Sequence, residues 1–128
     1  MPARTDEYAD AILTRKLTWY LPSVETGTNM SARLIVPFDG TITRADIYAK
    51  ESPTGTTMLV DINKGGTTIF TVQSNRLTIA DGGNSGTSTG MAVVAVASGN
   101  VLTIYVDQFG STDAGEFVTV GLEIQETV

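Results

Sequence analysis

TTMLVDINKGGTTIF, residues 56–70, is the stretch whose reading decides the fold. Side chains along a strand alternate between two faces. Here Met58, Val60 and Ile62 share one face, while Thr57, Leu59, Asp61 and Asn63 share the other. Gly65-Gly66 then stands where a two-residue turn requires positive φ, a conformation open to glycine at little steric cost. Thr67 to Val72 is β-branched and aromatic and is expected to run back beside the first strand. The unit reads as a β-hairpin.

The same grammar extends in both directions. Thr41 to Lys50 reads as a strand whose alternation breaks around Arg44 to Asp46, the mark of a bulge or a switch of face. Val36-Pro37-Phe38-Asp39-Gly40 has turn chemistry, and Met30 to Val36 is the strand before it. Lys16 to Leu21 puts Leu17, Trp19 and Leu21 on one side and Thr18 and Tyr20 on the other, and Pro22 is expected to end it. Trp19 is the sole tryptophan and reads as a core anchor.

Toward the C-terminus, Arg76 to Ala80 is a short strand. Asp81 to Gly90 (DGGNSGTSTG) has no apolar residue and reads as a surface loop. Met91 to Ala97 is small and apolar on both faces, as a strand between two packed layers would be. Val101 to Gln108 and Phe117 to Gln125 alternate cleanly around a second Gly-bearing loop, Phe109 to Gly115. The expected fold is all-β: an antiparallel β-sandwich or jelly roll of about eight to nine strands. No segment of helical period separates the strands, which excludes parallel βαβ units.

Residues 1–29 read as an N-terminal arm with a possible short helix and one strand, ahead of a jelly-roll domain over 30–128. Thr5 is a candidate helix cap, and Tyr8, Ala11 and Ile12 would share a helical face. The segment is too short to be a stable helix alone. Tyr8, Ile12 and Leu13 give it something to bury, which makes them candidate contacts to a partner. The first residues lack a basic region followed by an apolar one, so use without export is expected, and the sequon at Asn29-Met30-Ser31 is discounted. No apolar run approaches the ~20 residues of a membrane span.

Composition narrows the chemistry. The net charge is −6, and all eight basic residues lie within the first 76 positions, balanced there by eight acids; residues 77–128 carry six acids and no base. Duplex nucleic acid requires clustered cations, so no nucleic-acid partner is expected. The chain has no His and no Cys, which removes the commonest general base and all thiol chemistry. Asp61 to Gly66 echoes the start of a calcium loop, but Val72 stands where the bidentate Glu would be needed. Gly82 to Gly86 has no Lys and opens no helix, so it is not a phosphate cradle. No carboxylate pair sits in an aromatic groove. Neither enzymatic activity nor a cofactor nor a metal is expected.

Four segments carry a resemblance: VPFDGTITRADIYA (36–49), SPTGTTMLVDINKGGTTIF (52–70), LTIADGGNSGT (77–87) and SGNVLTIYVDQFGSTDAGEFVTVGLEI (98–124). Together they resemble a jelly-roll module of tailed-bacteriophage virion structural proteins, over about residues 34–124. VDQFGSTDAG (106–115) is the most specific part. The sequence departs from the pattern at Gly66, where Asn-Gly is favoured, and at Asn100, where an acid is usual; both remain turn residues. The resemblance implies a scaffold without shared catalytic residues and a homotrimer. The expected role is a capsid decoration, or cement, protein on the phage particle surface, made in the host cytoplasm and bound to the major capsid protein, with no nucleic acid or membrane partner. The alternative is a tail or fibre module that binds a host-surface glycan through exposed loop residues Asn84, Ser85, Phe109 and Asp113.

Overall fold

The fold is a computed structural model that describes residues 13–24 and 32–127. Among these, ten strands follow in order: β1 Leu13–Ser23, β2 Ala32–Ile35, β3 Gly40–Glu51, β4 Met58–Lys64, β5 Thr67–Thr68, β6 Leu77–Ile79, β7 Ser85–Ser88, β8 Ala95–Val96, β9 Val101–Gln108 and β10 Glu116–Glu126. One sheet runs β1-β10-β3-β7, with β8 also on β3; the other runs β2-β9-β4-β5, with β6 also on β4. The pairings within both sheets are antiparallel. Because β5 and β6 share one edge and β7 and β8 share another, the ten strands fill eight positions. Their order is that of a jelly roll, with chain ends and chain middle interleaved in each sheet.

Alternation becomes burial. Trp19, Leu21, Ile42, Ile47, Leu122 and Ile124 point inward from the first sheet, and Met58, Val60, Ile62, Leu102, Ile104 and Val106 from the second, forming one core. Trp19 is 4% exposed, so it is the anchor its place in the alternation demanded. The turn after β4 is built as its glycines require, with φ of 59° at Gly65 and 89° at Gly66. A bulge falls on β3 just ahead of the Arg44 to Asp46 stretch where it was expected: Glu123 faces Arg44 and Ile124 faces Ile42, which leaves Thr43 as the extra residue. The Thr43 hydroxyl donates to the Glu123 carbonyl at 3.2 Å.

Four expectations are corrected. Pro22 does not end its strand; β1 runs through it to Ser23, because β1 is an edge strand and one side of its backbone has no ladder to supply. The return from the Gly65-Gly66 turn is two residues long. The chain then leaves the sheet, and both Ile69 and Phe70 sink fully into the core. The loop 81–90 contains a strand, β7, paired with Ala45 to Tyr48 of β3. Met91 to Ala97 is an irregular edge segment with only Ala95–Val96 in strand. The strand expected within residues 1–29 is β1, hydrogen-bonded along its length to the last strand.

Candidate functional site

Three loops meet at one end of the sandwich. Pro53-Thr54-Gly55, between β3 and β4, is the central piece. On one side Thr54 exchanges backbone bonds with Asp113, its N–H donating at 2.9 Å and its carbonyl accepting at 3.2 Å, and that carbonyl also accepts from Thr112 at 2.9 Å. The Thr56 hydroxyl donates to the Phe109 carbonyl at 2.8 Å. On the other side the Gly82 N–H donates to the Pro53 carbonyl at 2.7 Å, and the Gly55 N–H donates to Asp81 Oδ1 at 3.0 Å. Asn84 closes the set: its side-chain amide donates to the Ala49 carbonyl at 2.8 Å. Polar loop residues are spent here on one another's backbones, which satisfies groups that a loop would otherwise leave to water.

Beside this end, the outer face of the first sheet carries a row of side chains set by register: Tyr20 of β1 opposite Thr119 of β10, Thr119 opposite Tyr48 of β3, and Tyr48 opposite Ser85 of β7. Trp19, Leu21, Val118, Val120, Ile47 and Ala49, which flank this row along the chain, are buried, so the row faces out. Tyr20 and Tyr48 are 59% and 53% exposed. Phe117, two residues before Thr119, is 38% exposed and has φ of 55°. A bulky residue in left-handed backbone is an outlier that costs about 1–3 kcal/mol.

Farther along the same face the surface is ionic. Asp46 accepts from Arg44 Nε at 2.9 Å, from the Thr87 hydroxyl at 2.9 Å and from Lys16 Nζ at 3.2 Å. Lys16 reaches Asp46 across Gly121, where a Cβ would lie 2.6 Å from its Cε. Partial burial works to raise the Asp46 pKa. The hydrogen bonds from Arg44, Thr87 and Lys16, with the Lys16 charge, outweigh it and hold the carboxyl below its ordinary value of 3.8. The sign follows from linkage. Above 3.8 the carboxyl is ionised folded and unfolded, and the pairing contributes fully. As pH falls below that, the unfolded chain takes up the proton first, and the contribution is lost as pH passes the folded value. Asp46→Asn is therefore expected to lower stability by about 1 kcal/mol near neutral pH, since half-exposed pairs are screened by solvent. Urea melts should show the difference from the parent shrinking as the solution is acidified below the ordinary carboxylate range.

The structure distributes the residues singled out from sequence. Asn84, Phe109 and Asp113 are brought together at the loop cluster. Phe109 is half-buried and packs against the core instead of standing free, because its loop folds back over the end of the sandwich. Ser85 is exposed and begins β7 in the Tyr48 row. Leu13 is the first residue of β1, half-buried and opposite Glu126, at the other end of the sheet from the loops. Tyr8 and Ile12 lie outside the described residues. Tyr20, Tyr48 and Phe117 were not singled out. The available signal was that Tyr20 lies on the side of β1 opposite Trp19 and Leu21; nothing in sequence puts it in one row with Tyr48.

No family model matches the sequence, and no curated protein does. Solved structures do. A chain of the cyanophage Pam1 capsid asymmetric unit superposes with a TM-score of 0.59 at 15% identity, over 90% of this chain and 84% of that one. A chain of the capsid of Ralstonia phage GP4 superposes with a TM-score of 0.53 at 13% identity, over 94% of this chain and 87% of that one. The likeness is one of fold. The shared part is most of both chains in each pair, so the two capsid chains are close to this one in length.

Proposed function

We propose that this protein is a structural component of a tailed-phage virion and that it decorates the head shell as a cement protein. The observation that carries the reading is the whole-length superposition on short chains found in two phage capsids. The resemblance of segments 36–49, 52–70, 77–87 and 98–124 to phage virion modules supports it independently. In this reading the protein acts by binding and not by catalysis; its lack of His and Cys fits that role. Copies associate as a homotrimer and contact the major capsid protein on the particle surface, and weak contacts repeated over many identical sites sum to shell stability.

The chain enters the sandwich at Leu13, at the end of the first sheet opposite the loop cluster. Two measurements test the reading. Quantitative mass spectrometry of purified particles should find hundreds of copies per particle; tens or fewer would make it a tail or fibre component. Deletion of residues 1–12 spares β1 and should leave melting and oligomeric state unchanged while lowering attachment to empty shells at least tenfold. Full attachment of the truncated chain would remove the arm from the account.

A further inference from the structure

Folding alone gives no reason for the aromatic end of the first sheet. Tyr20 and Tyr48 stand on strands separated by β10, roughly 10 Å apart given the ordinary strand spacing. Thr119 lies between them and Ser85 continues the row; Pro22, Phe117 and Lys50, each two residues along its strand from a member of the row, border it. Phe117 is held in left-handed backbone and yet keeps its ring partly in water. Strain retained for an exposed apolar ring points to use of that ring.

We propose that this face is a platform for a neutral polysaccharide, an extended β-1,4-linked chain of gluco-configured sugars. In such sugars the ring substituents are equatorial, so each ring presents a C–H face that stacks on an aromatic side chain. The chain is a flat ribbon and suits a flat sheet surface with no groove. Alternate rings present the same face and recur at about the spacing of two strands. Farther along the face Lys16 and Arg44 are already paired with Asp46. Beside the rings stand the hydroxyl groups of Thr119 and Ser85, with one cation, Lys50, at the border; all three can donate hydrogen bonds to the oxygens of an uncharged sugar. A protein partner of the usual footprint, about 800 Å², would have to extend beyond the three rings over the paired charges of Lys16, Arg44 and Asp46 and desolvate them. The proposal does not depend on the decoration reading.

The test is native affinity electrophoresis of the full-length protein in gels containing hydroxyethylcellulose, glycol chitin or dextran. Retardation is expected in one or both of the first two and not in dextran; which of the two retards tells a glucose chain from an N-acetylglucosamine chain. Tyr20→Ala and Tyr48→Ala should each weaken the retardation at least tenfold, while Ile35→Ala, on the other sheet, should leave it unchanged. Phe117→Gly removes the ring but accepts the φ, so it should weaken retardation with an equal or higher melting temperature. No retardation of the parent in either β-1,4 gel overturns the proposal, as does retardation that survives both tyrosine substitutions. If either tyrosine variant instead dissociates an oligomer in light scattering and the parent is not retarded, the face is a contact between copies and the proposal fails.

Discussion

Gly110→Ala is expected to destabilise the protein by about 3–5 kcal/mol, although it adds only one methyl group, because that group enters a buried position of the 109–115 loop. A Cβ at this position would run into the Asp113 carbonyl oxygen and lie 2.7 and 2.8 Å from the backbone N and O of Thr54. These are backbone atoms, so no rotamer change relieves the contact. The two loops must separate, and the Thr54–Asp113 bonds part with them. Overpacking of this kind costs roughly 1–3 kcal/mol, and each bond lost adds about 1 kcal/mol. Gly99→Ala is the control. It too is a loop glycine, with φ of 93°, but nothing lies within 4 Å of its added Cβ. Its cost is the backbone term alone, roughly 1–2 kcal/mol. Urea unfolding of both variants checks the contrast. Equal losses would mean that the loop cluster is not braced through residue 110. The same variant should also weaken whatever function depends on the cluster, because Phe109 and Asp113 are placed by these bonds.

What could be read from the residues, and what could not, follows the reach of each physical signal. Met58, Val60 and Ile62 were legible because a strand with one buried face writes its burial into every second position. Gly65-Gly66 was legible because few residues accept the turn's φ. β7 was not: Ser85-Gly86-Thr87-Ser88 has no apolar face, and it is held in place by pairing with β3 and by Gly86, whose bare Cα lets the Thr78 carbonyl approach. Pro22 misled because its effect depends on whether the strand is at an edge, a property of the sheet and not of the segment. The Tyr20–Tyr48 row was hidden for a related reason. Each tyrosine is an ordinary outward residue of its own strand; only the shared register on β10 makes them neighbours. Sequence shows which face a side chain takes, and topology decides what stands beside it.

Phe70→Ala is expected to cost about 3–5 kcal/mol, the range for deleting a buried phenyl group, and Ile69→Ala about 2–5 kcal/mol. The pair tests how the chain leaves β5. If Thr67 to Val72 continued as a strand, alternation would put residues 69 and 70 on opposite faces, and one of the two substitutions would be nearly neutral. In the structure both side chains are 0% exposed, because the ladder stops at Thr68 and the backbone turns inward. The turn is fixed locally: the Thr68 hydroxyl accepts from the Phe70 N–H at 3.0 Å and donates to Asp61 at 2.6 Å, while Gln73 Nε2 donates to the Phe70 carbonyl at 2.7 Å. Ile69 stays attached to β4 through its N–H, which donates to the Ile62 carbonyl at 2.9 Å. Val72, 57% exposed, is the control, and Val72→Ala should change stability by no more than about 0.5 kcal/mol. With total stability of about 5–15 kcal/mol for a domain, either core variant should lower the melting temperature by roughly 10–20 °C. A melt in which only one of them falls would restore the longer hairpin, and with it a wider second sheet than the one described.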